Sequence, residues 1–454
     1  MKTLFEKIFS PEQMLSSAEH LEPYGKDESD TGFFAPELVI FPANAQQVSD
    51  AFKICRSRRI ALTPCGARSG KSGGSLPLKG GVVMSFERMN AIKAVSVEDM
   101  TAVVQPGVIL KHLMDAVEQK GLFYPPDPNS LEYCTLGGNI AENAGGPRAL
   151  KYGVTKEYVL GMEWVTPSGD ILQVGKKTVK GVAGYDLVGL FVGSEGTLGV
   201  ATEITLQLIP LPKYVKTALL VFPKVMDAAR TVSATLANGL LPRTLELFDE
   251  LSVKAVDGKG ISFPPGTGAA LLVEFDGTHE EGLMEELASM DGFASAHGCT
   301  ESWFAHDESQ RQKLWATRRT LSTALRALRR YKVSEDIVVP RSQVPEIIER
   351  LKGLGEKMNF PVATYGHAGD GNLHANILFD SPDDRPRVNQ MVDQMFRWTV
   401  ELGGTLTGEH GVGYAKRDYL SLEQSQPLID LQHQLKKLLD PEGFLNPGKI
   451  FPDS

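Results

Sequence analysis

The sequence is poor in cysteine, and what it has is unpatterned. Four occur in 454 residues, Cys55, Cys65, Cys134 and Cys299, with no Cys-x-x-Cys pair. That spacing excludes a zinc ribbon or an iron–sulfur cluster held by this chain alone, and it suits a reducing cytosol. No run reaches the ~18 to 20 apolar residues that a membrane span requires. The opening stretch MKTLFEKIFSPEQML carries Glu6 and Glu12 and lacks the apolar centre of a signal peptide. Basic stripes with interleaved aromatics are missing too, and the net charge is −9, so nucleic acid is not an expected partner. No low-complexity tract or solenoid period is found. The expectation is a cytoplasmic protein whose only route to a membrane is a partner subunit.

Glycine, by contrast, is abundant, 45 in all, and it clusters. Clustered glycine is a sign of backbone packed close against a ligand. ELVIFPAN reads as a strand, AQQVSDAFKICRSRR as an amphipathic helix and IALTPCG as a second strand. CGARSGKSGGSLPLKGG, Cys65 to Gly81, then leads into another strand, VVMSF. A Rossmann fingerprint would open into a helix and place an acidic residue ~20 positions on. Neither follows here, and the Gly-Lys-Ser/Thr of a P-loop is not at its offset. Such a loop is either a long hairpin connection or an anion cradle of successive backbone N–H groups. Two further stretches weigh toward the cradle. Pro125 to Gly153 holds Gly137, Gly138, Asn139, Asn143, Ala144, Gly145 and Gly146; Val179 to Pro210 holds Gly193 to Gly199. Both offer faces with almost no side chain, against which a flat aromatic ligand and its phosphates can lie.

The order and spacing of these motifs, over about Ala35 to Pro212, resemble the FAD-binding domain of the vanillyl-alcohol oxidase or p-cresol methylhydroxylase type. The resemblance implies FAD, with its pyrophosphate on the first loop and its isoalloxazine between two domains. In the first stretch it assigns cofactor contacts to Pro64, Gly66, Ala67, Arg68, Ser69, Gly70, Gly73 and Gly74. In the second it assigns them to Pro128, Thr135, Gly138, Asn139, Asn143, Gly145, Gly146 and Gly153. The third contributes Glu195, Gly199 and Val200. Arg68 and Lys71 stand where relatives often have smaller residues, and face either phosphate or solvent. Some relatives tether FAD through a histidine near the first loop. None lies between Cys65 and Gly81, so FAD is expected to be held non-covalently.

From about Lys213 the texture changes. VKTALLVFP, PRTLELFD and GAALLVEFDG read as strands and VMDAARTVSATLANG as a helix, giving an α+β domain with an antiparallel sheet. In the helix Asp307 to Tyr331, Leu314, Thr317, Leu321, Ala324 and Leu328 recur at helical spacing and read as core. Arg311, Trp315, Arg318 and Ser322 form the neighbouring stripe. An arginine with a hydroxyl one turn on can grip a carboxylate. A solvated basic face is the alternative, and it suits Arg326, Arg329 and Arg330.

In YGHAGDGNLHANILF, Tyr365 to Phe379, a glycine turn joins two strands, with His367 at its entrance and His374 at its exit. By alternation His374, Asn376 and Leu378 share one face, while Leu373, Ala375, Ile377 and Phe379 share the other and make core. A histidine pair alone is often ordinary polar structure. GGTLTGEHGVGYAKRD, Gly403 to Asp418, offers Glu409 as the candidate third ligand; if Glu409 binds an ion, His410, its neighbour in an extended segment, would face the other way, toward a substrate. Two imidazoles, one carboxylate and an open position describe a Lewis-acid site.

GHAGDGNLHAN, GEHGVG and the closing LLDPEGFLNPGKIF are similar to the C-terminal domain of FAD-linked 2-hydroxyacid dehydrogenases. That group includes the glycolate oxidase flavin subunit, D-lactate dehydrogenases and D-2-hydroxyglutarate dehydrogenase. The resemblance implies His367, His374 and Glu409 as ligands of a divalent metal, Zn or Mn. It makes His410 the catalytic base and Arg318 the grip on the substrate carboxylate, with Ser322 and Asn376 in the substrate site and Asn446 touching FAD. In RRYKVSEDIVVP, Ser334 aligns with the lysine by which 2-hydroxyglutarate relatives hold the distal carboxylate. That favours a small monocarboxylate such as glycolate or D-lactate.

The expected architecture is α+β, with an FAD-binding domain over 1–212 (core about 35–212). A substrate domain over 213–440 and a returning segment over 441–454 complete it. The expected reaction oxidises a D-2-hydroxy acid to the 2-oxo acid: His410 takes the hydroxyl proton and hydride passes to flavin N5. Electrons would then leave for a separate iron–sulfur subunit, electron-transfer flavoprotein or quinone. A homodimer is compatible with this. The base must be neutral, so activity is expected to fall at acid pH. A metal-dependent hydrolase using His367, His374 and Glu409 is the rival from another class, and a non-redox flavoenzyme the rival within the fold. Colour separates the hydrolase from the flavin readings: acid denaturation of the purified protein is expected to release yellow FAD into the supernatant. A colourless protein that FAD cannot reconstitute would leave the glycine walls without a purpose.

Overall fold

The computed structural model describes residues 1–452. Its contacts divide the chain into two units. One comprises Met1–Gly145, Val154–Leu211 and the segment from Glu409 onward; the other comprises Gly146–Gly153 and Pro212–Gly408. The chain passes into the second unit after Leu211 and returns to the first at Glu409. Residues 146–153 group with the second unit because Lys151 Nζ and Tyr152 Oη donate to the Asp276 carboxylate at 2.6 and 2.9 Å.

In the first unit, the strand Leu38–Ile40 leads through the helix Ala45–Arg58 to the strand Leu62–Cys65. Asn44 caps that helix by accepting from Gln47 N–H at 2.9 Å. The helix buries Val48, Ala51, Phe52 and Cys55 against Leu38, Ile40, Leu62, Val82 and Met84. The strand Val82–Ser85 lies between the other two and is parallel to both. Parallel neighbours cannot be joined as a hairpin. Residues 66–81 are therefore a crossover without a helix, which removes the hairpin alternative. An antiparallel sheet completes the unit, in the order Ile92–Ser96, Thr101–Val104, Val200–Gln207, Val159–Val165, Ile171–Gly175. The third glycine stretch runs into its central strand, and the second contains the short helix Leu136–Glu142.

The second unit is built on a seven-stranded sheet. Its order is Glu301–Phe304, Tyr214–Phe222, Ala269–Gly277, Thr244–Asp249, Val362–His367, Asn372–Phe379, Tyr331–Val338, and every pair is antiparallel. All eight residues of Asn372–Phe379 are buried, so the expectation of one core face is corrected: both faces are covered. Leu378 joins Ala363, Tyr365 and Phe248 beneath Leu321 and Leu325 of the helix Glu308–Leu328. Leu373, Ala375 and Ile377 are buried on the opposite side. Leu328, expected in the core, is 39% exposed. The helix ends there, and Arg329 is already extended at φ −145 on the way to the strand Tyr331–Val338.

A charged network ties this sheet to its helix. Glu274 is fully buried, and its carboxylate accepts from Arg243 Nε at 2.7 Å, Arg311 Nη1 at 3.1 Å, Thr217 Oγ1 at 2.6 Å and Trp315 Nε1 at 2.9 Å. Burial pushes the Glu274 pKa up, but Arg243 and then Arg311 outweigh it and hold it at about 2. Removing one partner of a buried pair costs roughly 3–5 kcal/mol, because the other charge is left without compensation. Glu274→Gln is expected to lower stability to urea by about that amount at neutral pH. A depressed carboxylate stabilises above its unfolded pKa and loses the effect as it protonates. The gap between variant and wild type should therefore close as pH falls from about 4.5 toward 2. A gap independent of pH over that window would show that packing rather than charge carries it.

Candidate functional site

Register builds the site. Antiparallel pairing sets Glu246 opposite His367, Tyr365 opposite His374, Asn376 opposite Ser334, and His374 opposite Asp336. Opposed residues project to the same side of a sheet. One face thus carries Glu246, Tyr365, His367, His374 and Asn376, and, by alternation, Lys332, Ser334 and Asp336. The His367 and His374 rings lie 5.5 Å apart at 83°. Arg318 approaches from the helix Glu308–Leu328 with its guanidinium 4.9 Å over the Tyr365 ring, and is only 6% exposed. It is not part of a solvated basic face, whereas Arg326, Arg329 and Arg330 are exposed. Trp315 and Arg311, from the same stripe, serve Glu274 instead.

Glu246 holds this arrangement together. Its carboxylate is fully buried; one oxygen accepts from His367 Nδ1 and the other from Arg318 Nε. Burial pushes its pKa up, but Arg318 and then His367 outweigh that and hold it down at about 2. An ionised carboxylate can only accept, so His367 carries its proton on Nδ1. Asn376 donates Nδ2–H to His374 O at 2.9 Å and Ala363 O at 3.3 Å, which leaves Oδ1 buried with no partner among the described residues. Such an atom can accept from a water or from a bound molecule. Ser322 Oγ accepts from Lys332 Nζ at 2.7 Å, and Lys332 is 9% exposed.

Asp336 anchors the approach to Glu409. It accepts from Thr407 Oγ1 at 2.9 Å and from Gly408 N–H at 2.8 Å, while Val338 and Thr405 exchange backbone hydrogen bonds. Glu409 and His410 follow directly. One ligand atom from each of His367, His374 and Glu409 lies within 4.8 Å of the other two. Two nitrogens and a carboxylate oxygen suit a divalent transition metal.

In the first unit the three glycine stretches meet. A Cβ on Gly66 would fall 2.6 Å from Thr135 Oγ1, and one on Gly196 would fall 3.2 Å from Pro64. Asn446 Nδ2 donates to Gly74 O at 3.1 Å and Glu195 O at 2.8 Å. Gly70 faces open space, and Gly138 meets only Thr135 Oγ1 at 3.4 Å. Ser72 Oγ, Asn139 Nδ2, Ser194 Oγ and Asn446 Oδ1 are buried here without partners among the described residues. Orphaned polar atoms beside bare backbone fit a ligand rich in phosphate and carbonyl oxygens, as FAD is.

Several residues expected to touch the cofactor also have partners within the chain. Gly199 backs onto Trp164. Arg68, at φ 61, stacks 4.4 Å over Tyr24 and reaches Glu87 at 3.4 Å, while Lys71 is exposed. Asn143 ends the helix Leu136–Glu142 in a left-handed conformation and accepts from Lys156 N–H at 2.9 Å. Glu195 is buried and accepts from Val412 N–H and Gly413 N–H at 2.8 and 2.7 Å, so it grips the segment just beyond His410. Near it, burial pushes Lys449 down to about 7 despite Asp27, Glu195 and Glu142, and burial together with Glu195 pushes Glu142 up.

The sequence reading missed Glu246, Lys332 and Asp336. The last two were within reach, since they alternate with Ser334 on one strand. Glu246 was not, because its partner His367 is 121 residues away. The Glu195 grip is testable. Losing an acceptor of this kind costs on the order of 1–3 kcal/mol. Glu195→Ala is therefore expected to speed amide exchange at Val412 and Gly413 by about tenfold or more; unchanged protection there would mean the segment is held by other contacts.

Comparison with known proteins agrees with this picture. Residues 36–175 match the FAD binding domain family, and residues 211–450 match the family of FAD linked oxidases, C-terminal domain. The chain is 41% identical to the glycolate oxidase subunit GlcD of Bacillus subtilis, over 92% of this chain and 89% of that protein. It is 35% identical to the D-lactate dehydrogenase of Anaerostipes hadrus, over 98% and 96%, and 35% identical to the D-2-hydroxyglutarate dehydrogenase of Stutzerimonas stutzeri, over 99% and 98%. A crystal structure of p-cresol methylhydroxylase shares the fold, with a TM-score of 0.80 at 17% identity over 99% of this chain and 96% of that one. The hydrolase and the non-redox rival fall away. The chain belongs to the FAD-linked oxidases with a p-cresol-methylhydroxylase-type FAD-binding domain, and it is an oxidoreductase of α+β architecture.

Proposed function

We propose that this protein is a dehydrogenase that oxidises a small D-2-hydroxy acid to the corresponding 2-oxo acid. The observation that carries the reading is the joining of two features in one buried network. Glu246 binds both a histidine of the His367–His374–Glu409 set and Arg318, beside the unpartnered Oδ1 of Asn376. A metal-ligand set next to a buried arginine suits a substrate with a hydroxyl α to a carboxylate.

In this reading Arg318 binds the carboxylate through its guanidinium, and Asn376 lines the substrate site, its Oδ1 able to accept a hydrogen bond. His367, His374 and Glu409 would hold Zn or Mn, which would make the substrate hydroxyl more acidic. That proton passes to an imidazole nitrogen of His410. FAD, held non-covalently by the glycine stretches, Asn139 and Asn446, supplies the two-electron acceptor for the α-hydrogen. The four cysteines offer no cluster, so electrons leave to a separate acceptor: an iron–sulfur subunit, an electron-transfer flavoprotein or a quinone. The Bacillus subtilis relative is itself named as a subunit, which supports a partner chain. Among the described residues no helix is long and apolar enough to cross a membrane, and a cytoplasmic location belongs to the proposal.

Glycolate or D-lactate is the first choice of substrate. A second reading, a dicarboxylate such as D-2-hydroxyglutarate, is favoured by Lys332. This buried ammonium shares the Ser334 face and bonds Ser322, one helical turn beyond Arg318. An anaerobic spectrum of the purified protein with each acid decides between them. Bleaching of the flavin band by one acid is expected, with loss of that response after EDTA and its return with Zn²⁺ or Mn²⁺. A flavin that no 2-hydroxy acid reduces would refute the reading. If D-2-hydroxyglutarate bleaches the flavin, Lys332→Met should raise the concentration needed by about tenfold or more, since a charged hydrogen bond contributes roughly 1.5–3 kcal/mol.

A further inference from the structure

We infer that Glu246 is a positioning residue that sets the tautomer of His367 and the orientation of Arg318 together, so that metal binding and substrate-carboxylate binding depend on one buried side chain. The inference rests on the reading proposed above. It begins from pairing: Glu246 and His367 are directly opposed on adjacent antiparallel strands, so their side chains leave the sheet side by side. The carboxylate is fully buried, and each of its oxygens has a different donor, His367 Nδ1 on one and Arg318 Nε on the other.

Two consequences follow for the site. A proton fixed on Nδ1 puts the His367 lone pair on Nε2, the nitrogen then presented to a metal. A carboxylate behind a ligating imidazole also orients the ring and raises its basicity. Arg318 is held through Nε and by the Tyr365 ring beneath it, so the plane of its guanidinium is fixed. Glu246 joins the two by accepting from Arg318 on one oxygen and from His367 on the other. It touches neither substrate nor reacting atoms, and acts through both neighbours.

Glu246→Gln is nearly isosteric but has one acceptor oxygen and one donor nitrogen, so it cannot accept from both partners. Three readouts test the proposal on the full chain with its flavin. The first is the ¹⁵N NMR signal of the His367 imidazole in wild type, which is expected to report the Nδ1–H tautomer. The second is the affinity for Mn²⁺ alone after EDTA treatment, followed by the loss of the free-ion resonance. It is expected to fall roughly 10–100-fold in the variant. The third is the split of KM from kcat for the acid that bleaches the flavin, with KM rising more than kcat falls. Glu246→Gln with unchanged Mn²⁺ affinity and unchanged KM overturns the proposal, as does an Nε2–H tautomer in the wild type. The wild-type NMR signal decides the matter even if the variant fails to fold. A wild type that takes up no Mn²⁺ overturns the metal reading and this proposal with it. That case is recognised because wild type and variant then fail alike.

Discussion

The register between the strands Thr244–Asp249 and Val362–His367 is the constraint on which the second unit depends. A strand alternates sides with every residue, so a slip of one would turn Glu246 away from His367 and send its charge into the opposite layer. The same pairing continues outward, carrying His374 beside Tyr365 and Asp336 beside His374. Three antiparallel pairings thus bring together residues from distant parts of the sequence. The hydrophobic part of that face, Phe248, Ala363, Tyr365 and Leu378 under the helix Glu308–Leu328, penalises any slip. Apolar packing keeps the register, and the register keeps the polar groups in their places.

Buried carboxylates sit within the interior of this unit. Glu246, Glu274 and Asp336 are each fully buried, and each has its oxygens occupied by donors from at least two other elements. Buried charge is tolerated only when it is paired and hydrogen-bonded on all sides. The three carboxylates behave alike in the fold but differ in location. Glu274 joins sheet to helix, whereas Glu246 and Asp336 each touch a part of the candidate metal set or the segment leading to it.

Much of this was legible from the amino-acid order. Glycine stretches pointed to the FAD binding domain family that residues 36–175 match, because only glycine leaves such bare backbone, and the strand–turn–strand around His367 and His374 followed from alternation. The errors have physical causes. Counting one face of Asn372–Phe379 as core assumed a sheet covered on one side, and this sheet is covered on both. Leu328 kept helical spacing yet lies in the last turn, past the layer it was expected to join. Attention to Ser334 hid Lys332, two residues earlier on the same side. Glu246 carried no local signal at all, since LELFD is an ordinary strand with an acid in it. Its meaning exists only across a pairing that sequence order does not display.

The division of the chain has a consequence for its making. The strand Leu62–Cys65 is met by Leu445, and Asn446 closes over Gly74 and Glu195, so the first unit is completed by residues translated more than 370 positions after the strand they cover. Meanwhile Lys151 and Tyr152, made early, wait for Asp276. On a ribosome, the glycine-lined half would emerge first and yet be finished last, with the seven-stranded sheet able to form in the interval. A release of the nascent chain before residue 445 would leave the oldest strands uncovered, however well the rest had folded.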